Sequence, residues 1–574
     1  MLGVAYEKLN HAEKAAVYFE KASSGLSEPQ SAMYYNDQPP ETIFCQGLAL
    51  IKLGKKAKAD IRFDKLISYA DEHINDTVKI DYFAVSLPDF LVFDEDLNKK
   101  NRVHCLFMKA LGLLGKSKKT EANEKFNEIF SLDNTHFAAH LYNMHNFVKQ
   151  HILPKQWALK QKPVLLSSWE SVYFDITEEK LCELADRVAE IGAEMLVIDD
   201  GWFGKRNDDT SSLGDWQENH EKFPGGIKAV TDYVHKRGLK LGIWVEPEMI
   251  SRNSKLFEVH PDWALGSEQG RKILGRSQYI LDLSRSDIQD FLIETVCSVI
   301  KESGADYLKW DFNRMFSDFT SVETPIYEVQ HSYICGLYRI LSEITAHYPN
   351  VLFELCASGG ARFDLGMLCF MPIGWVSDNT DVLSRALIQE GTSYGYPISV
   401  MCNHISAIPN HQTKRTSTLE TRCGVASFGV LGLQYDLTKL PKEELDYLKC
   451  CIAEYKRMRS FITDGSFYRL TDGFEENFNA WQLVSADKNT SYVILFQKLF
   501  FPVSQLPKLK LFGLLSDVAY TVDITGLKVS GEVLMKHGLL PLQNYQGNEQ
   551  SINGHSLTDF LAVIYQLKAL EEEK

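Results

Sequence analysis

The stretch Lys309-Trp310-Asp311-Phe312-Asn313-Arg314 is where this sequence most plainly offers chemistry. The apolar run before it, Ala305-Asp306-Tyr307-Leu308, reads as a buried strand, and it ends in a carboxylate, Asp311, set among Lys309, Asn313 and Arg314. A catalytic barrel strand ends in this way. An ion pair capping a strand in an ordinary α/β protein would use the same residues, because structural ion-pair networks also perturb carboxylates. The other strand ends have to decide.

Seven further runs have strand length: 164–166, 195–198, 241–245, 351–355, 373–376, 398–401 and 428–431. The first is followed by Trp169 and Glu170, the second by Asp199-Asp200-Gly201-Trp202. The third brings Trp244 and then Glu246-Pro247-Glu248, and the fifth in chain order brings Cys356, the Ser358-Gly359-Gly360 turn and Arg362. The sixth gives Trp375 and Ser377-Asp378-Asn379-Thr380-Asp381, the seventh Asn403 and His404. Tryptophan stacks on the apolar face of a pyranose, while aspartate and lysine take its hydroxyls, so this mixture suits a sugar. Glycoside hydrolysis needs two carboxyl groups flanking the anomeric carbon. Asp311 and Asp378 are the best pair. Lys309 would keep Asp311 ionised, as a nucleophile requires. Asp378 would need a raised pKa to act as general acid, which the charge of Asp381 or Asp311 could supply. The Asp199-Asp200 pair could instead hold Mg²⁺ or Ca²⁺, but no histidine cluster or Asp-rich loop completes a site, and tryptophans stand where further oxygen ligands would be needed. The reading is no metal and no cofactor.

Such strand ends converge only if the strands close into one sheet. The window from about 163 to 435 has the length of a (β/α)₈ barrel. Leu181, Leu184, Ala185, Val188 and Ile191 keep a helical period between the first two strands. The fifth and sixth strands leave room for only a short helix. A doubly wound sheet is the alternative, but no GxGxxG follows a strand. The predicted fold is α/β: a TIM barrel at 163–464, an all-α helical-repeat domain at 1–148, a linker at 149–162 bracketed by Pro154 and Pro163, and a C-terminal antiparallel β-sandwich at 465–574. Runs at 480–484, 491–496, 519–522, 531–535 and 560–565 read as sandwich strands, with turns at Gly547-Asn548 and Asn553-Gly554.

The N-terminal third repeats a pattern. Ala5 to Leu9 leads to Ala15 and Phe19, Ala49 to Gly54 leads to Ala59 and Phe63, and Ala110 to Gly115 leads to Ala122 and Phe126, the third copy two residues longer in its turn. This resembles tetratricopeptide repeats, with a plain helical bundle as the alternative. Such a module would bind another protein. The chain starts within the first copy, so it reads as truncated or as lacking an upstream part.

Of 574 residues 24% are charged, and the net charge is −15, which argues against nucleic acid or an anionic membrane as partner. No apolar run spans a bilayer, and Met1 to Asn10 shows no secretory signal. The eleven cysteines are odd in number and lack CxxC spacing, which fits free thiols in a reducing cytoplasm and no zinc cluster.

From about Trp157 onward the chain resembles the family 36 glycoside hydrolases, the bacterial-type α-galactosidases. The resemblance is carried by Ser168-Trp169-Glu170, Ile198 to Gly204, Gly214-Asp215-Trp216, Gly242 to Glu248, Arg276, the Lys309–Arg314 hexapeptide, Cys356 with Arg362-Phe363-Asp364, and Trp375 to Asp381. It implies retaining hydrolysis of terminal α-galactosyl residues in melibiose and raffinose-type oligosaccharides. Asp311 would be the nucleophile forming a galactosyl ester, and Asp378 the acid and then the base. Asp199 and Asp200 would hold O4 and O6, and Lys309 and Asn313 the ring hydroxyls. Trp244 and Arg276 would close the pocket and Trp169 and Trp375 would wall it. Cys356 would lie near the 2-position, and Trp310 is counted with the substrate-binding residues. The turn Cys356 to Ala361 is shorter in glycine than in many members, which leaves galactose against N-acetylgalactosamine open. The family normally carries a large β-sandwich where this chain has helical repeats. The competing readings are therefore an α-N-acetylgalactosaminidase, galactosyl transfer, or an interaction protein with an inactive barrel from a misjoined reading frame. Homo-oligomerisation stays open.

Overall fold

Strands that are apolar along their whole length, without alternation, must be covered on both faces, and a closed parallel barrel ringed by helices does this. The computed structural model, which describes residues 2–9, 11–31, 38–78, 96–133, 135–266, 271–317, 319–499, 508–540, 551–552, 555–556 and 559–570, has such a barrel. The chain divides into two units, Met1–Phe147 and Val148–Lys574.

In the second unit eight parallel strands close in chain order: β1 Leu165–Ser167, β2 Met195–Ile198, β3 Lys240–Val245, β4 Tyr307–Trp310, β5 Leu352–Leu355, β6 Ile373–Trp375, β7 Met401–Ser406 and β8 Val430–Gln434. All but the first residue of β3 are buried. The register sets Trp310 beside Val245 and Leu355, which brings the ends of β3, β4 and β5 level. The helix Glu178–Glu190 shows why the connections form: the Thr177 hydroxyl accepts the Lys180 N–H as N-cap, and Leu181, Leu184, Ala185 and Val188 make one buried stripe. Between β5 and β6 there is only the short helix Leu365–Leu368.

The barrel interior is filled by Leu165, Met195, Val197, Tyr307, Leu352, Cys356, Ile373, Trp375, Cys402 and Val430, with Trp157 packed among them. Residues 149–162 are thus tied to the barrel: Trp157 enters its core, and the Lys162 ammonium donates to the carbonyls of Trp157 and Lys160.

The last two barrel strands correct the apolar reading. Ile398–Val400 is a 3₁₀ turn behind Pro397, and β7 begins at Met401. β8 begins at Val430, two residues later than the run at 428–431. Buried polar residues lengthen β7 because each finds a partner: Asn403 donates to the Phe428 carbonyl, His404 bonds Gln434, and Ser406 donates to the Thr380 carbonyl.

The C-terminal region is antiparallel, as expected, but its main described strands form one six-stranded sheet, in the order Ser466–Arg469, Phe478–Val484, Thr490–Gln497, Leu561–Ala569, Ala519–Val522, Lys528–Ser530. Leu509, Leu511, Leu514, Leu534 and Leu539 share one buried cluster with residues of this sheet. The run at 531–535 is a helix, Gly531–Lys536, not a strand: the Ser530 hydroxyl caps the Val533 N–H and Glu532 sits in the first turn. The turn pairs Gly547-Asn548 and Asn553-Gly554 lie outside the described residues.

Among the described residues the N-terminal unit contains three helix pairs, Leu2–Lys8 with Ala12–Ala22, Pro40–Lys52 with Lys56–His73, and Leu97–Gly115 with Lys119–Leu132. The three turns have equal length, so the third copy is not longer in its turn. Gly47 and Ala110 stand equally far before the buried rings of Phe63 and Phe126, and aligning on those rings brings the copies into register. A Cβ on Gly47 would meet Phe63 at 2.3 Å, so the small residue is what lets this pair of helices approach. Among the described residues no helix is long and apolar enough to cross a membrane.

Candidate active site

Side chains alternate across a strand, and β4 separates its hexapeptide accordingly. Lys309 and Asp311 point into the barrel mouth. Trp310, fully buried, points the other way and donates its indole N–H to Glu248 at 2.8 Å. Glu248 also takes bonds from Tyr333 (2.6 Å) and from both terminal nitrogens of Arg362 (2.9 and 2.6 Å). Trp310 is therefore removed from the substrate-binding set: it belongs to a structural network outside the barrel.

The mouth is a cavity of about 140 Å³. Ligand sites for drug-sized molecules run to roughly 300–1,000 Å³, so this hollow suits one small ring. It is lined by Trp169, Asp199, Asp200, Trp244, Arg276, Lys309, Asp311, Asn313, Trp375 and Asp378, ten residues singled out from the sequence. Cys356 is not among them. It is buried in the barrel's interior cluster, close enough for the charges of Asp311, Lys309 and Asp378 to act on it, and burial pushes its thiol pKa well up.

Asp311 accepts three N–H groups: the indole of Trp244 (3.1 Å), the side-chain amide of Asn313 (2.7 Å) and the backbone of Phe312 (2.8 Å). Such donors hold the carboxylate in one orientation. Among the described residues the Asp378 side chain takes only the indole N–H of Trp375, at 2.9 Å. Burial, and then the charge of Asp311, raise its pKa from the usual aspartate value. The loop carrying Asp378 lies directly on the Ser358-Gly359-Gly360 turn. A Cβ on Gly359, whose φ is +86°, would meet the Asp378 nitrogen at 2.7 Å, and one on Gly360 would meet the Val376 oxygen at 2.5 Å.

Asp199 is held by the Lys309 ammonium (2.9 Å), the Ser167 hydroxyl (3.0 Å) and the Asp200 N–H (3.0 Å). Burial is the largest single influence on Lys309 and works against its charge, but Asp199 together with the other negative groups beside it, Asp311 among them, outweighs burial and raises the lysine's pKa. Asp200 is gripped by Arg206 through both carboxylate oxygens, at 3.0 and 2.8 Å. Its burial raises its pKa against that pairing.

Phe174, Arg206, Asp209, Glu246, Gln278 and Gln434 also line the cavity and were not singled out as site residues. Arg206 and Asp209 come from the loop after Asp200, where no spacing reveals which side chain turns back. Glu246 stood in the Glu-Pro-Glu end of β3, the one signal that could have found it.

A family model described as melibiase matches residues 130–465, and one described as glycosyl hydrolase family 36 C-terminal domain matches 478–567. The chain is 42% identical over 416 residues to the α-galactosidase AgaA of Geobacillus stearothermophilus, covering 72% of this chain and 55% of that one. It is 40% identical over 431 residues to α-galactosidase 1 of Pediococcus pentosaceus, covering 75% and 57%. The crystal structure of a doubly substituted Geobacillus AgaA in complex with raffinose aligns with a TM-score of 0.71 at 40% identity, over 75% of this chain and 59% of that one. The α-galactosidase of Lactobacillus brevis aligns with a TM-score of 0.73 at 39% identity, over 76% and 58%. The chain spans about half the length of the curated relatives it matches.

Proposed function

The chain belongs to the melibiases of glycosyl hydrolase family 36, and on that premise we propose that it is a retaining α-galactosidase that removes terminal α-galactosyl residues from melibiose and raffinose-type oligosaccharides. One observation carries the reading: two aspartates line one ring-sized cavity in different settings, Asp311 taking three N–H donors and Asp378 one, with the Asp378 pKa raised by burial. Two carboxyl groups whose environments separate them are the usual mark of a nucleophile and an acid.

Asp311, held in place by its three N–H donors, attacks the anomeric carbon. Asp378, whose pKa is raised by burial and then by the Asp311 charge, acts as the general acid and gives its proton to the departing glycosidic oxygen. The bond to the leaving sugar breaks as the Asp311 ester forms. Asp378 is then a carboxylate and takes a proton from water, whose oxygen displaces Asp311 and restores the starting configuration. Asp199 and Asp200 face the same cavity with fixed carboxylates, Lys309 and Asn313 offer donors, and Trp169, Trp244 and Trp375 supply apolar walls. This supports recognition of one galactose with an axial hydroxyl bound by carboxylate. The eleven unpaired cysteines favour a cytoplasmic location, and the helix pairs of 1–148 read as a protein-binding module of tetratricopeptide type.

The test is hydrolysis of p-nitrophenyl α-galactoside by this same chain, beside its 2-acetamido analogue. Release from the galactoside alone is expected. Release from the analogue alone would make the protein an α-N-acetylgalactosaminidase, and release from neither would leave the barrel without the proposed activity.

A further inference from the structure

Glu246 is buried, lines the catalytic cavity, and is not needed by any step above. It follows β3 at the level where the Asp311 N–H donates to the Val245 carbonyl at 2.8 Å. One of its oxygens, Oε1, accepts two bonds: the backbone N–H of Asn313 at 2.5 Å and the Gln278 amide at 2.9 Å. Gln278 sits on the two-stranded antiparallel sheet of Met249–Ser251 with Gln278–Ile280, paired there with Ser251. The other oxygen, Oε2, has no hydrogen-bond partner among the described residues.

Asn313 is held at several points. Its N–H goes to Glu246, its Oδ1 takes the Ser358 hydroxyl at 3.1 Å, and its Nδ2 donates to Asp311 at 2.7 Å. The Glu246 bond is the shortest of these and the only one that fixes the Asn313 backbone nitrogen. We propose that Glu246 is a positioning residue for the nucleophile: anchored by Gln278, it fixes Asn313, and through Asn313 it fixes the carboxylate of Asp311. The proposal rests on the reading of Asp311 as nucleophile. Burial and the adjacent Asp311 charge both push the Glu246 pKa up, so a neutral carboxyl group is the form that this place favours. A neutral carboxyl and a glutamine amide present the same carbonyl oxygen to both donors, which makes glutamine the conservative replacement. Aspartate keeps the acid but withdraws it by one methylene.

Three variants of the full chain separate this role from simple packing. Glu246→Gln is expected to keep kcat within about threefold, whereas Glu246→Ala and Glu246→Asp lose on the order of 100-fold in kcat with little change in KM, as misplacement of a reacting group does. Crystal structures supply a readout independent of turnover: the Asn313–Asp311 bond is expected to persist in Glu246→Gln and to be broken or lengthened in the other two. The proposal is overturned if Glu246→Asp matches Glu246→Gln in kcat, if Glu246→Ala turns over like the parent, or if its crystal structure leaves Asn313 and Asp311 in place. If the parent chain cleaves no α-galactoside, the activity reading fails, and the crystal structures alone decide the role of Glu246.

Discussion

Replacing Lys309 by methionine leaves a side chain of similar length and removes one charge from a buried pair. Lys309 is 8% exposed and Asp199 3%. After the change Asp199 keeps only the Ser167 hydroxyl and the Asp200 N–H, two neutral donors at 3.0 Å. Breaking a buried pair by deleting one partner costs about 3–5 kcal/mol, because the remaining charge is stranded. Asp199 can escape that cost by taking up a proton, so the loss should shrink on acidification. Lys309 itself does not titrate in this range: its pKa is raised, so its stabilising contribution is complete at neutral pH and is lost only far into alkali. We expect Lys309→Met to lose about 3–5 kcal/mol at pH 7.5 and clearly less at pH 4.5. Asp199→Asn combined with Lys309→Met should cost less than the two single changes added together. Tryptophan fluorescence in urea is the suitable assay, because all nine tryptophans lie between Trp157 and Trp481 and so report on the barrel unit alone. A cost below about 1 kcal/mol at pH 7.5, or one independent of pH, would refute the reasoning.

Glu170 accepts from Thr380 (3.0 Å) and Gln434 (3.3 Å), and burial above all pushes its pKa up to about 7. A raised carboxyl costs nothing below its unfolded value and an increasing amount as pH climbs to the folded one, roughly 3 kcal/mol here at the upper bound. Glu170→Gln should therefore raise Tm at pH 8 relative to the parent and not at pH 4.5, and an equal shift at both would contradict this. Trp310→Phe should lose about 1.5–3 kcal/mol of stability, the worth of one hydrogen bond to the charged Glu248, while KM for the galactoside stays put. A raised KM with unchanged stability would return Trp310 to the binding site.

Much of the barrel was readable because its strands are short apolar blocks with chemistry at their ends. Met195–Ile198 is bounded as its apolar run is, and β4 is displaced by two residues from the run at 305–308. Reading failed where burial is polar: Asn403, His404 and Ser406 belong to a strand because partners elsewhere in the fold satisfy them. It failed at Gly531–Lys536, where one serine cap outweighs a β-like composition. Within the site, residue type and motif picked out the carboxylates, but not direction. Trp310 sits between two cavity residues and faces away from both, as strand geometry requires. Arg206 and Gln278 could not be seen because long connecting segments set their places.

The central claim is that Asp311 forms and releases a bond to the sugar. It is tested most directly by assaying Asp311→Ala on p-nitrophenyl α-galactoside with and without sodium azide. The account predicts a rate lowered by about a thousandfold or more, restored in part by azide, with β-galactosyl azide as the product. An Asp311→Ala protein that hydrolyses the substrate at the parent rate would contradict it.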